Sequence, residues 1–444
     1  MWNVREARLH GERVVFAPLD GLTLPQSRKH GITSPLERKS SGKDAAVKSV
    51  ELFAGAGGLA IGTAEAGLTH KVVIEWDTNA ANTLRRNKAD GVKHVRDWTI
   101  VEGDVRGYDF RQHQDVSFVS GGPPCQPFSI GGKHRGRDDS RNMFPQAVRA
   151  IREIRPLGFM FENVRGLLRE SFSKYFGYIV HQLRYPTITP KGDEEWTDHL
   201  ARLERIHTAG EDTGLNYNVV VQCVNAVDYG VPQHRWRVFV IGIRSDLAIE
   251  YAFPLATHEH DALLHDMWVS GDYWERHGIP KKRRLDVPVA LAKRVDRLRS
   301  SMREMLGAPW RTVRDAIHDL PKVGVGKRST TVLNHYFNPG AKSYAGHTGS
   351  PLDEPAKALK AGDHGVPGGE NMLRKEDDSL RYFSVRECAR LQCFPDDWYF
   401  EGSWTESMRQ LGNAVPVMLA EQIAKPLVAL LKTRKQVVSR PKRG

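Results

Sequence analysis

The sequence predicts an α/β protein: a doubly wound, mostly parallel sheet with helices on both faces, joined by a smaller irregular domain. Three observations carry that expectation. Apolar strand-like runs alternate with helical patterns between residues 50 and 162. The first run leads through a glycine-rich turn, "FAGAGGLAIG" (53–62), straight into a helical pattern. The alternation then lapses over 246–383, and helical pattern returns at 384.

Taken in order, residues 1–47 mix charge, Pro and Gly without periodicity and read as a basic N-terminal extension, with "SPLERKSSGKDAAVK" (34–48) as a linker. The organised domain spans 48–245. "VELF" (50–53) is its first strand, and Gly67 closes a helix running from about Leu59 to Ala66. "KVVIE" (71–75), a helix near 78–88 and "DVSFVS" (115–120) follow. Met143, Phe144, Ala147, Val148, Ile151 and Ile154 line one side of a helix that Pro156 stops, and "GFMFE" (158–162) continues the series. Residues 183–216 are polar and acid-leaning and read as a surface insertion. Strands resume at "NVVVQCVNA" (218–226) and "RVFVIGI" (237–243). Residues 246–383 form the candidate second domain, 384–435 return to the first as helices, and 436–444 are a basic tail.

A chain of 444 residues can bury more than one core, and its formal net charge of +12 points to a polyanionic partner, with nucleic acid foremost. No apolar stretch approaches the ~20 residues of a membrane helix, and the N-terminus lacks the apolar core of a signal peptide. A soluble intracellular protein is expected. Four scattered cysteines, Cys125, Cys223, Cys388 and Cys393, make neither a disulfide framework nor a zinc cluster, so no metal is expected.

The glycine-rich turn, with Phe53, Ala54, Gly55, Gly57 and Gly58, can bring backbone close to a ligand at a helix N-terminus. Glu75 ends the second strand, where an acid in such folds accepts ribose hydroxyls, and Trp76 offers a face to an adenine. That set fits any adenosine-bearing cofactor. A dinucleotide is the natural rival, because Ala60 is an allowed third position of its fingerprint, but "GGPPCQPFS" (121–129) and the large basic irregular region argue against a dehydrogenase.

That proline-rich loop emerges at the carboxyl edge of the sheet and presents Cys125 at low conformational cost, as a nucleophile at a cleft mouth requires. One strand later Glu162 ends an apolar run. A partly desolvated carboxyl there can carry a proton near neutral pH. Gln233, Arg235 and Arg237 alternate in "PQHRWRVF" (232–239), so an extended strand aims all three to one face.

These residues resemble the DNA (cytosine-5) methyltransferase family, in its bacterial modification-enzyme form. The matching stretches, in the family's order, are "ELFAGAGGL", "EWD" (75–77), "GDV" (103–105), "GGPPCQPFS", "ENVRGLL", "DYGVPQHRWRVFVIG", "RECARLQCFPDDW" (386–398) and "GNAVPV" (412–417). The resemblance implies a Rossmann-like fold binding S-adenosylmethionine, left as S-adenosylhomocysteine. Phe53 and Trp76 would flank the adenine, Glu75 would take the ribose, Asp104 and Val105 would lie near the adenine amino group, and Asn413 would support the site's loops. Cys125 would attack carbon 6 of cytosine, Glu162 would serve ring nitrogen 3, and Arg235 and Arg237 would line the base pocket. Pro124, Gln126, Ser129, Asn163 and Gln233 would contact substrate. Residues 246–383 would be the target recognition domain, with Lys281, Arg283 and Arg284 tracking phosphates of double-stranded DNA.

The base would be flipped out of the duplex, since neither ring face is reachable inside it. A monomer in the bacterial cytoplasm at the nucleoid is expected, with a cognate restriction or phage-defence protein as partner. Two departures stand out. Glu51 replaces the family's usual Asp, and Ala358-Leu359 stands where a Thr-Leu pair is common. A tRNA methyltransferase on the same scaffold and a catalytically silent DNA-binding relative are the alternative functions.

Overall fold

The structure is a computed structural model that describes residues 46–124, 142–211, 214–300, 307–324, 327–342, 348–362 and 371–438, together with a short antiparallel pairing of Arg8–Leu9 with Glu12–Arg13. Its centre is a seven-stranded sheet. β1 (Val47–Leu52), β2 (Leu68–Glu75), β3 (Thr99–Glu102), β4 (Phe118–Gly121) and β5 (Gly158–Val164) are mutually parallel. β6 (Tyr217–Asn225) and β7 (Trp236–Arg244) form a long hairpin, and β7 inserts antiparallel between β5 and β6 to give the order 3-2-1-4-5-7-6. The link between β6 and β7 is too short for the crossover that a parallel neighbour needs, which explains why the sheet is only mostly parallel. β3, an edge strand of four partly exposed residues, has no apolar alternation, and the sequence pattern passes over it.

Alternate residues of the inner strands feed two cores, as expected where both faces of a sheet are covered. On one face Val50, Leu52, Val119, Phe159, Phe161, Val238 and Val240 meet the apolar stripes of α3 (Phe144–Ile154) and α4 (Ser173–Arg184). On the other, Phe118, Met160, Phe239 and Ile241 meet Leu59 of α1 (Gly58–Glu65) and Leu419, Ile423 and Leu427 from the chain's last helix. α2 (Thr78–Ala89) starts at Asp77, whose carboxylate accepts the Ala80 N–H at 2.9 Å.

The polar stretch 183–216 folds in part as α5 (Trp196–Ala209), which packs Leu200 and Leu203 against Tyr178 and Tyr185. It reads as polar because only one narrow stripe is covered. Residues 246–383 contain short elements: α6 (Ala292–Ser300), a pairing of His258–Glu259 with Ala308–Pro309, and a small sheet from Ser350–Pro351, Met372–Arg374 and Leu380–Tyr382. Two small apolar clusters of its own centre on Tyr273 and Trp274 and on Val295 and Leu298, while Val313, Ile317, Leu359, Leu373 and Phe383 join a larger core shared with Val385, Leu391 and Leu411. An ionic chain supplements them: Tyr273 donates to Asp353 at 2.7 Å, and Arg314 binds the same carboxylate at 2.6 Å.

α7 (Val385–Leu391), α8 (Trp404–Asn413) and α9 (Val417–Val438) close the molecule. A Cβ on Gly58 would lie 2.3 Å from the Val415 carbonyl oxygen, and one on Gly62 2.3 Å from that of Val417. Only glycine lets α1 approach the start of α9 this closely. One sequence expectation needs correction here: residues 404–433 do include a window long and apolar enough to cross a membrane. That window is 61% buried because α9 is apolar toward the sheet and α1, which is the packing of a core helix.

Candidate active site

The carboxyl ends of β1, β2, β4 and β5 open into one cavity of about 760 Å³, with α8 and residues 361–362 forming its far wall. Phe53, Ala54, Gly55, Glu75, Trp76, Val105 and Arg106 line one end; Pro123, Pro124, Glu162, Asn163 and Arg237 line the other. Residues expected to bind a cofactor and residues expected to do chemistry therefore share a single space.

At the first end the chain turns sharply after β1. Phe53 holds φ 55°, an unusual conformation for a side chain of its size, and Gly55 holds φ 54°. The turn is fixed from β2: Glu75 Oε2 accepts the Gly55 N–H at 2.6 Å, and Oε1 accepts the Asp77 N–H at 2.7 Å. Burial pushes the Glu75 carboxyl above its ordinary range, against those two N–H donors. Each oxygen keeps a further lone pair for ligand hydroxyls. Trp76 is 60% exposed on a cavity wall, with the Arg106 guanidinium over its ring at 5.3 Å from the centre. A nucleoside fits that pairing of an acceptor-rich carboxylate with an open aromatic face.

Three expected cofactor residues play other parts. Gly57 does not line the cavity, and a Cβ there would meet Leu84 and Trp398. Gly58 faces Val415, as described above. Asp104 turns its carboxylate to Arg106, accepting its backbone N–H at 2.9 Å and its Nε at 2.7 Å, so Val105 and Arg106 face the cavity in its place.

At the other end, Arg237 Nε stands 2.5 Å from Glu162 Oε1. Asn163 donates to the Pro123 carbonyl at 2.9 Å, and the Met143 N–H donates to Pro124 O at 3.2 Å. These bonds pin both ends of the segment carrying Cys125, Gln126 and Ser129, and those three lie outside the described residues. Asn413, the last residue of α8, is exposed and lines the cavity.

Arg235 was expected in the base pocket and Gln233 against substrate, and neither lines the cavity. The buried Arg235 guanidinium donates to the carbonyls of Leu359 (2.9 Å), Gly412 (2.5 Å) and Ala414 (2.9 Å). Gln233 accepts the Leu359 N–H at 3.0 Å and donates to Leu391 O at 3.3 Å. Both are struts behind the wall. The Ala358-Leu359 departure lies at this junction, with Leu359 backbone held by both side chains.

Lys281 and Arg283 are exposed and Arg284 is half-buried, on and beside a single helical turn, and none of the three lines the cavity. Arg283 pairs with Glu376, and Arg284 donates to Ile279 O at 3.2 Å. Sequence reasoning missed Arg106 and Arg409, which both line the cavity. Arg409 sits four residues before Asn413, a spacing that places both on one side of a helix and would have found it.

A family model described as C-5 cytosine-specific DNA methylase matches residues 47–185 and 197–429. The Type II methyltransferase M.Eco47II of Escherichia coli is 31% identical over 388 residues, covering 86% of this chain and 79% of its own length. M.NgoMIV of Neisseria gonorrhoeae, also a Type II methyltransferase, is 29% identical over 388 residues, covering 86% and 98%. In fold, the chain resembles the crystal structure of a putative DNA modification methyltransferase encoded within an E. coli prophage, with TM-score 0.51 and 22% identity over 87% of this chain and 99% of that one.

Proposed function

The chain belongs to the C-5 cytosine-specific DNA methylase family, and from that premise we propose that it methylates carbon 5 of a cytosine flipped out of a specific duplex DNA sequence, as the modification arm of a bacterial restriction or defence system. The observation that supports the residue assignment is the single cavity joining Glu75 and Trp76 to Glu162 and Arg237. A methyl donor and a base bound at its two ends would be within reach of each other, and enclosure would exclude water from the transfer.

S-adenosylmethionine, when bound, would supply an electrophilic methyl group. Glu75 would accept its ribose hydroxyls, Phe53 and Trp76 would hold the adenine, and Val105 and Asn413 would complete the walls. The Cys125 sulfur bonds to carbon 6 of the cytosine while Glu162 delivers a proton to ring nitrogen 3, which moves electron density to carbon 5. Arg237 orients Glu162. Once carbon 5 carries the methyl group, its proton leaves to solvent and the bond to Cys125 breaks, returning the thiolate, while ring nitrogen 3 gives its proton back to Glu162 and the neutral aromatic ring is restored.

Residues 48–245 and 384–435 carry this chemistry, and 246–383 read the target, with Lys281, Arg283 and Arg284 on phosphates. Incubating the protein with labelled S-adenosylmethionine and either duplex DNA or total tRNA, followed by bisulfite sequencing, tests the reading. Methylation of cytosine in one DNA sequence is expected. Methylation confined to tRNA, or to neither, overturns it.

A further inference from the structure

We propose that Arg409 is a positioning residue for the cofactor: through Asp77 it fixes the Glu75 carboxylate, so that α8 and the ribose-binding acid act as one unit. The inference rests on the reading of this cavity end as the S-adenosylmethionine site. Arg409 Nη2 lies 2.8 Å from Asp77 Oδ2 and 2.6 Å from Glu406 Oε2. Asp77 is doubly committed on its own side, since Oδ1 accepts the Ala80 N–H that opens α2 and its own N–H donates to Glu75 Oε1. Glu75 in turn holds Gly55. An unbroken chain of charged or charge-assisted contacts thus runs from α8 to the glycine-rich turn, with every link between 2.6 and 2.8 Å.

A lone ion pair at a surface would carry little, because ordering two side chains offsets the attraction. This one differs in being braced: Glu406 also accepts Asn79 Nδ2 at 3.1 Å, so the start of α2 is joined to α8 twice. Arg409 and Asp77 are both only partly exposed, at 29% and 34% of their side chains. The residues joined are far apart in sequence, so the chain of contacts reports on closure of the cavity wall and not on a local turn.

Arg409 lines the cavity, so a direct pairing with the amino-acid carboxylate of the cofactor is the rival role, and a ligand lacking that carboxylate separates the two. Titration calorimetry with S-adenosylhomocysteine and with 5′-methylthioadenosine would be run on the full chain and on R409Q, R409K, D77N and the double variant R409Q/D77N. Asn remains a good N-cap, so D77N keeps α2 intact while removing the charge. R409Q and D77N should each weaken both ligands about tenfold, the double variant no further than either single one, and R409K by an intermediate factor. Unchanged affinity in R409Q, additive losses in the double variant, or a loss confined to S-adenosylhomocysteine overturns the proposal. Failure of the unmodified chain to bind either ligand would instead overturn the cofactor assignment itself.

Discussion

Arg237 and Glu162 meet across 2.5 Å with their side chains only 11% and 8% exposed, a buried carboxyl and guanidinium in the cavity wall. Two effects oppose each other there. Burial raises the Glu162 pKa, while Arg237 and Arg235 lower it, and the balance remains above the ordinary carboxylate value. The arrangement suits an acid that must hold a proton and release it without leaving its place.

If Glu162 delivers that proton, kcat must fall as pH rises through its raised pKa, because only the protonated form donates. Glu162→Gln should lower kcat by about 10²–10⁴ and abolish the alkaline limb of its pH profile. An alkaline limb that persists in the variant assigns proton donation to another group.

Arg235 and Arg237 are two residues apart and should fail differently. Arg235→Lys keeps the charge but loses the fork spanning the carbonyls of Leu359, Gly412 and Ala414, at a cost of about 3 kcal/mol. Arg237→Lys should leave the melting temperature nearly unchanged and lower kcat, since its partner is Glu162. Parallel melting curves and turnover measurements check this, and equal melting shifts would remove the distinction.

Why spacing could not separate these two arginines is physical. Alternation tells which face a side chain takes and not how deep that face lies. β7 begins at Trp236, so residues 233–235 run beneath the segment around Leu359, a neighbour more than 120 residues away. The glycine-rich turn misled for a related reason: glycine is required wherever backbone comes close, whether the close approach is a ligand's or that of the Val415 carbonyl against Gly58. Glu162 was legible because its signal is local, an acid ending a run that both cores bury. The Asp77–Arg409 contact spans 332 positions, and no local pattern announces it.

Glu51 supplies a stability test independent of activity. Its carboxyl is fully buried in β1, bonded by Ser120 on one oxygen and without a partner among the described residues on the other, and desolvation pushes its pKa up to about 8. Between the ordinary carboxylate value of 4.5 and about 8 the folded chain holds a proton that the unfolded chain has lost. Stability from this group is therefore full below pH 4.5 and falls as pH rises through about 8. Glu51→Gln, which can still accept from Ser120, should flatten that decline and melt higher than the parent at alkaline pH. Melting curves that stay parallel across this range would contradict the assignment.

The last prediction concerns Cys125, which must be the attacking thiol if the mechanism is right. The three described cysteines are poor nucleophiles. Burial pushes the thiols of Cys223 and Cys393 up to about 11 and that of Cys388 well above its ordinary value, so all three stay protonated at neutral pH. A thiolate added to carbon 6 can be expelled only after the carbon 5 proton departs. Fluorine at that carbon cannot leave as a cation, so DNA containing 5-fluorocytosine should trap the protein covalently once the methyl group has been transferred, and only when S-adenosylmethionine is present. Cys125→Ser should abolish the adduct, and Glu162→Gln should slow its formation. Peptide mapping of the denatured complex locates the bond: attachment at Cys223, Cys388 or Cys393, or methylation surviving in Cys125→Ala, would refute the nucleophile named here.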